Sequence, residues 1–391
     1  MDRTLIDDCV HCGFCLPTCP TYVLGNEEMD SPRGRIWLMR ATVDGTLKLD
    51  RSVAEHFDRC LGCMACLTSC PSGVKYDRLI ELAREKVEQE VKRPLRERLL
   101  RRFVFAVFPH PARLRVALKF AWLPAPGPFK PLKDLAPPSW TTAAPPAETP
   151  AEGGAAVARV GLLTGCVQSV LFGETNRASA RVLAAHGFEV AAPYQGCCGA
   201  LALHAGRREE GLELARRTEA AFRAAGADRI VTNAAGCGSH LKDAHLDLPV
   251  FDISEVLPEG RTPERHPLNL RVAFQESCHL GHAQRVREQP RALLRSIPGL
   301  ELVEPAEQEL CCGSAGIYNL VKPETAKTLG DRKAALVLET EPDVYVSANP
   351  GCMLQVSAAL RRAGRPLPGA HPVELLDLSI RGAQLGDPPP A

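Results

Sequence analysis

The chain has 391 residues, of which 24% are charged and 45% hydrophobic, and its formal net charge is +1. That balance gives no global pull toward nucleic acid or a strongly acidic partner, and no stretch reaches the ~20 apolar residues of a membrane-spanning helix. The length suggests about two or three domains. Sixteen cysteines sit in a sequence that opens MDRTLIDDCV, without an apolar export segment, which points to a reducing, cytoplasmic setting where thiols meet metal rather than one another.

The first element is the run Cys9, Cys12, Cys15, Cys19-Pro20, which returns as Cys60, Cys63, Cys66, Cys70-Pro71. Two copies of C-x2-C-x2-C-x3-C-P form the ferredoxin pattern for a pair of [4Fe–4S] clusters. Three thiolates on one tight loop reach three iron corners, and the fourth must come from elsewhere. The pattern therefore pairs Cys9, Cys12 and Cys15 with Cys70, and Cys60, Cys63 and Cys66 with Cys19. Zinc modules usually place two ligands on each of two separated knuckles, so zinc competes weakly for these runs. Between them, Ser31 or Asp30 followed by Pro32 signals a helix start. Arg33, Arg35 and Arg40 on that helix admit two accounts, compensation of anionic clusters or a solvated face, of which the second is the default. A further amphipathic helix begins at Asp77, with Leu79, Leu82, Val87 and Val91 on one side, and closes a first domain over residues 1–92.

Residues 93–123 change texture. Basic residues from Lys92 to Arg102 lead into Phe103 to Phe108, and Arg113, Arg115 and Lys119 lead into Phe120 and Trp122. This fits attachment to a membrane interface or partner, and equally a helical pair packed on the protein's own body. Residues 124–154, rich in Pro and Ala, read as a linker crossing a surface, with Trp140 as a local pin.

The remainder is duplicated, as units 155–262 and 263–391. Cys166, Cys197-Cys198-Gly199 and Cys237 are matched by Cys278, Cys311-Cys312-Gly313 and Cys352, with intervals of 30 and 38 residues in the first unit and 32 and 39 in the second. Such agreement marks a repeat. Each unit alternates strand and helix signals: strands at 158–163, 188–192 and 229–232, then at 270–274, 300–303 and 344–347, with helices at 174–185, 207–224, 290–297 and 323–338 between them. Alternation of this kind implies parallel sheets. The cysteines then fall beyond the carboxyl ends of strands, where open α/β sheets bind ligands. Four thiolates per unit suffice for one cluster; a catalytic dithiol, a structural zinc or inert buried cysteines are the alternatives.

Taken together, the doubled runs, Thr164-Gly-Cys-Val-Gln168, Cys197-Cys-Gly-Ala-Leu201 with His204, Ser277-Cys-His-Leu-Gly-His282, Cys311-Cys-Gly-Ser-Ala-Gly316 and Asn349-Pro-Gly-Cys352 resemble the iron–sulfur subunits of bacterial glycolate oxidase (glycolate dehydrogenase). The layout is similar, more broadly, to lactate-utilisation, anaerobic glycerol-phosphate dehydrogenase and heterodisulfide reductase subunits. The resemblance implies an α+β chain: a helical ferredoxin-like domain with two [4Fe–4S] clusters, then a duplicated α/β CCG domain with parallel sheets and a further iron–sulfur centre. One departure matters. The heterodisulfide reductase pattern closes each CCG unit with a C-x-x-C pair, whereas Cys237 is flanked at three residues by Ala234 and His240, and Cys352 by Asn349 and Gln355. The fifth thiolate is missing, which argues against disulfide cleavage and for a simpler centre, including one shared by both units.

Oxidation of a 2-hydroxy acid removes a hydride equivalent, whereas an iron–sulfur cluster accepts single electrons, so a flavin must stand between them. No G-x-G-x-x-G occurs here. The resemblance accordingly implies FAD-binding dehydrogenase subunits as partners, no catalytic residue on this chain, and electron delivery to quinone at the cytoplasmic face of the inner membrane. Lactate or glycerol 3-phosphate dehydrogenation, and a thiol/disulfide oxidoreductase, remain as alternatives. His204, His279 and His282 are read as neighbours of the sulfurs rather than ligands, and His11 as solvent-facing.

Overall fold

Apolar runs of three to five residues, each followed by a helix, cannot cover their own faces; they pair in parallel and bury those faces under the crossover helices. The computed structural model describes residues 3–120, 130–138, 140 and 142–387. It contains two such sheets. In the first, β2 (Arg159–Leu163) lies between β3 (Glu189–Ala191) and β4 (Arg229–Thr232), with β5 (Val250–Asp252) beyond β4. Parallel register sets Val160 opposite Val190 and Leu162 opposite Val231. In the second, β6 (Arg271–Gln275) lies between β7 (Glu301–Val303) and β8 (Val344–Ser347), followed by β9 (Gly369–Ala370). Val272 pairs with Leu302, and Phe274 with Val346. The repeat read from cysteine spacing is thus a repeat of strand order.

The proline-rich linker departs from expectation. Its end forms β1 (Glu148–Thr149), an antiparallel edge strand on β3, and Arg159 of β2 reaches past β3 to hold Glu148 at 2.7 Å. Trp140 pins nothing fully, being 40% exposed. Trp122 and the first part of the linker, 121–129, lie outside the described residues.

The units are locked together rather than strung in series. The helix Pro372–Arg381, at the end of the second unit, packs on the helix Gly173–Ala185 of the first. Arg181 donates to Asp377 at 2.7 Å and Thr175 to Glu374 at 2.8 Å across that contact. One apolar core holds Leu162, Leu183 and Phe188 from the first unit with Phe274, Leu294 and Leu376 from the second.

The N-terminal region is helical. Ser31 caps the helix Pro32–Val43 by accepting from the Gly34 N–H at 3.0 Å, and Asp50 caps Arg51–Asp58. With Tyr76–Glu90 these helices enclose Ile36, Met39, Phe57, Leu79, Ile80 and Val87. The buried stripe on Tyr76–Glu90 runs through Leu79, Ile80, Ala83 and Val87, while Leu82 and Val91 are only half-buried. The basic, aromatic segment forms two helices, Leu95–Val107 and Pro111–Lys119. Their inner side packs on the body, where Leu100 and Val104 meet Ala205, Ile317 and Leu320. Their outer side keeps Leu95, Leu99, Val116 and Phe120 exposed. No described helix is long and apolar enough to cross a membrane.

Because one core spans both sheets, the units should unfold together. Leu376→Ala is expected to cost about 2–5 kcal/mol, and in a denaturant titration far-UV and fluorescence signals from both units should move to a lower midpoint as one transition.

Candidate metal centres

Both cysteine runs are bent the same way. In each, the second and fourth residues after the first cysteine are left-handed: His11 and Gly13 (φ 55° and 89°), then Gly62 and Met64 (φ 64° and 63°). This turn aims backbone N–H groups inward, and Gly62 N–H lies 3.3 Å from Cys60 Sγ. Cys9, Cys12, Cys15 and Cys70 line one small cavity together with Cys66. Cys19 is buried with Cys60, Cys63 and Cys66. Burial first, then the neighbouring Cys311, Cys19 and Cys60, push the Cys63 thiol well above its ordinary value; burial first, then Cys63, Cys60 and Cys19, do the same to Cys66. Cys60 goes the other way. Burial pushes it up, but Arg35 and Arg84, with hydrogen bonds from Gly62 and Tyr76, outweigh that and hold it below its ordinary value.

Arg35 overturns the default account of its helix. It is 1% exposed, donates to His56 O at 2.6 Å and Thr21 Oγ1 at 3.1 Å, and puts Nη1 3.9 Å from Cys19 Sγ. Asp30, 3.6 Å away, balances it and also holds His56 and Arg59. A buried guanidinium so tightly bonded is a fixed positive charge at the sulfurs. Arg33 and Arg40 are partly exposed and serve locally, Arg33 on Glu28 at 2.6 Å and Arg40 on Asp7 at 3.1 Å.

In the CCG units every cysteine follows the carboxyl end of a strand, and the eight gather into two groups of four. In the first, Cys166 and Cys198 donate to Cys197, and Cys198 also interacts with Cys237; the received bonds hold Cys197 well below its ordinary pKa, while donation and burial hold Cys166 and Cys198 well above theirs. In the second, thiol contacts run from Cys352 to Cys312, from Cys312 to Cys311 and from Cys311 to Cys278, and donation to Cys311 with burial pushes Cys312 up to about 12. Sulfurs are linked pairwise: among the described residues no three Cys, His, Asp or Glu side chains have the spacing for a single metal ion. Four thiols per group, three of them buried and the fourth, Cys237 or Cys278, half-buried, suit the corners of a [4Fe–4S] cluster. The glycine of each CCG is obligatory. Gly199 has φ 99° and its absent Cβ would lie 2.2 Å from Gly211 O; Gly313 has φ 90° and would meet Ala326 O at 2.7 Å. The residues standing where a fifth thiolate would be brace the same place: His240 lies 3.1 Å from Gly211 O, and Gln355 donates to Ala326 O at 2.7 Å.

The groups are not isolated from the N-terminal runs. Leu61, Cys63 and Ala65 pack with Leu310, Cys311 and Tyr318, with Cys278 alongside. His279 Nε2 donates to Gly62 O at 2.8 Å, His282 Nδ1 meets Thr68 Oγ1 at 2.9 Å, and Arg84 bridges Cys60 O to His204 O. His204 stacks on His279 with ring centroids 4.9 Å apart. His11 is half-exposed. Lys333 escaped the sequence reading altogether: 1% exposed, it lies among Cys311, Cys312 and Cys352 and donates to Glu307 O, and burial lowers its pKa. Only a lysine on the apolar stripe of a predicted helix would have betrayed it.

This architecture defines an iron–sulfur protein of modular build. The pattern of the 4Fe-4S dicluster domain matches residues 5–74, and that of the CCG cysteine-rich domain matches 160–242 and again 272–357. The chain belongs to the family of glycolate oxidase iron–sulfur subunits. It is 37% identical to the probable glycolate oxidase iron–sulfur subunit of Bacillus subtilis, over 98% of this chain and 95% of that protein. Identity to the glycolate oxidase iron–sulfur subunit of Escherichia coli is 36%, over 96% and 95%. One component of the dihydromethanophenazine:CoB–CoM heterodisulfide reductase of Methanosarcina acetivorans is 26% identical over 89% of this chain and 87% of its own. A hypothetical protein from Helicobacter pylori shares the fold, with a TM-score of 0.58 at 10% identity over 92% of this chain and 68% of that one.

Gly313→Ala and Gly199→Ala should each lose more than about 2 kcal/mol of stability, from left-handed strain plus a clash with backbone. Denaturant midpoints and iron per purified chain are both expected to fall.

Proposed function

We propose that this chain is the electron-carrying subunit of a glycolate-oxidising complex. Glycolate gives a hydride equivalent to FAD on a separate subunit, and the electrons leave through this chain to membrane quinone. The supporting observation is the contact of Cys63 with Cys311, where the second N-terminal run packs on the second CCG group without an intervening layer of protein. Iron–sulfur clusters, when bound, accept and release one electron at a time. The residues that would hold them are Cys9, Cys12, Cys15 and Cys70; Cys60, Cys63, Cys66 and Cys19; and, in the CCG units, Cys166, Cys197, Cys198 and Cys237, then Cys278, Cys311, Cys312 and Cys352. Two centres in the CCG units, one in each thiol group, fit the two sets of contacts better than one shared between units.

The chain's other residues shape that path. Arg35 and Arg84 set positive charge beside Cys19 and Cys60, and Tyr76 donates to Cys60 Sγ at 3.7 Å. His279 and His282 tie the two regions together and keep their separation fixed. The exposed apolar and basic side of Leu95–Val107 and Pro111–Lys119 suits a peripheral site on the cytoplasmic face of the membrane, where anionic lipid attracts Lys and Arg. Related dehydrogenases of lactate or glycerol 3-phosphate would use the same path, since the substrate pocket belongs to the flavin subunit.

The test is a tagged purification of the complex and its assay with glycolate, both lactate enantiomers and glycerol 3-phosphate. Glycolate turnover with a co-purified FAD protein is expected; turnover with another substrate alone moves the path to a sister dehydrogenase. Cys312→Ser should leave glycolate bleaching the flavin while quinone reduction falls at least about 100-fold, and unaltered quinone turnover would sink the relay. Arg35→Met removes a buried charge at Cys19. The midpoint of the nearest centre should shift negative by on the order of 60 mV, a tenfold change in its one-electron equilibrium, read by potentiometric EPR.

A further inference from the structure

The two helices that follow the N-terminal domain do more than cover it. Between them and the CCG thiols lies a cavity of about 520 Å³, whose sulfur-lined end the clusters would fill and whose remainder lies beneath the two helices. Its floor is made of sulfur: all four cysteines of the first group reach it, with Cys278 and Cys352 of the second. Its roof is apolar, carrying Val104, Val107, Phe108, Leu114, Ala117 and Leu118. Lys133 lies at its side with Leu135 and Pro137, and the other polar lining groups are Gln168, His204, His279, Ser314, Asn319 and Asn349. His204 and Asn319 are both half-buried and line it. The roof helices are the ones that turn Leu99, Val116 and Phe120 outward among arginines.

A roof of Val104, Val107, Phe108, Leu114, Ala117 and Leu118 is wasted on a water-soluble acceptor, and a sulfur floor is wasted on a mere structural lipid. We infer that this cavity binds the ring of a lipid-soluble quinone, admitted between Leu95–Val107 and Pro111–Lys119 from the membrane surface they face. The inference rests on the electron-relay reading and assigns its terminal acceptor a place. The ring shares one cavity with the thiols, so no side chain separates it from the first group, and Asn319 and His204 are the polar partners for its oxygens. The exchange balances: glycolate becomes glyoxylate with release of two electrons and two protons, and the quinone takes two electrons and, from water at the cavity mouth, two protons to become the quinol. The basic outer side supplies the membrane contact, and the apolar inner side accepts a ring and the start of its isoprenoid tail.

The test uses the whole complex with glycolate as donor, decylubiquinone as acceptor and an azido derivative of it as photolabel. Ala117→Trp and Leu118→Trp fill the cavity from half-buried positions on its roof. Each is expected to raise KM for decylubiquinone about tenfold and to remove label from peptides covering 103–120 and 314–320. Ala112→Trp, on the exposed side of the same helix, should leave both readings as they are. Ferricyanide reduction is measured alongside: a variant that loses it has lost its centres, and the gentler Leu118→Phe then carries the KM measurement. Wild-type KM in the roof variants, or label confined to another region or subunit, overturns the site while leaving quinone reduction by the complex intact. A complex that reduces ferricyanide but never decylubiquinone overturns the quinone reading itself, and this site with it.

Discussion

Packing sixteen thiols into one chain is a problem of charge. A thiolate in a dry interior is costly unless cations or hydrogen bonds meet it, and the structure crowds thiols until they raise or lower one another by direct contact. Iron and the groups already built around the sulfurs relieve that strain. Arg35 and Arg84 stand by Cys19 and Cys60, backbone N–H groups by Cys60 and Cys197, and Asn349 by Cys352. Metal binding and folding are then one process. The helices and sheets are arranged to bring these partners to the right sulfurs, and much of the remaining sequence serves that end.

The division of labour follows from how each backbone can present cysteines. A left-handed double bend places three of them on a seven-residue loop, as at Cys9–Cys15 and again at Cys60–Cys66. A parallel sheet places them differently, one loop at a time, at the ends of adjacent strands. β3, β2 and β4 in the first unit and β7, β6 and β8 in the second do the same work in the same order. The CCG glycine is where the second solution meets its tightest constraint, since its loop lies directly on the helix carbonyl of Gly211 or Ala326.

What could be read from the sequence was whatever is local or repeated. Cysteine spacing displayed the N-terminal runs and the duplication, and runs such as Arg159–Leu163 and Val344–Ser347 displayed the sheet centres, because periodicity and spacing survive in one dimension. Three short outer strands did not register: β1, β5 and β9 exist only because a neighbour offers them an edge. Arg35 and Lys333 were hidden for another reason. A charged residue on a helix reads as solvated, and only the tertiary arrangement brings a sulfur within its reach. The helix Pro372–Arg381 likewise gave no sign that its partner would be Gly173–Ala185, two hundred residues earlier.

The duplication has also diverged in what lies beneath each group of thiols. The helices Arg208–Ala224 and Pro323–Glu339 are both 17 residues long, and the contacts of Gly199 and Gly313 put Gly211 in register with Ala326. The buried Lys333 then corresponds to Thr218, fully buried and with no partner for its hydroxyl. One thiol group thus has a cation beneath it and the other a neutral side chain. The group with the cation is also the one that touches Cys63, and the neutral one lies wholly along the cavity under Leu95–Val107 and Pro111–Lys119. One copy thus sets its thiols beside a buried lysine and the second N-terminal run, and the other sets them beside a neutral hydroxyl and the cavity, and the charge and neighbours around a sulfur are among the levers on a centre held there.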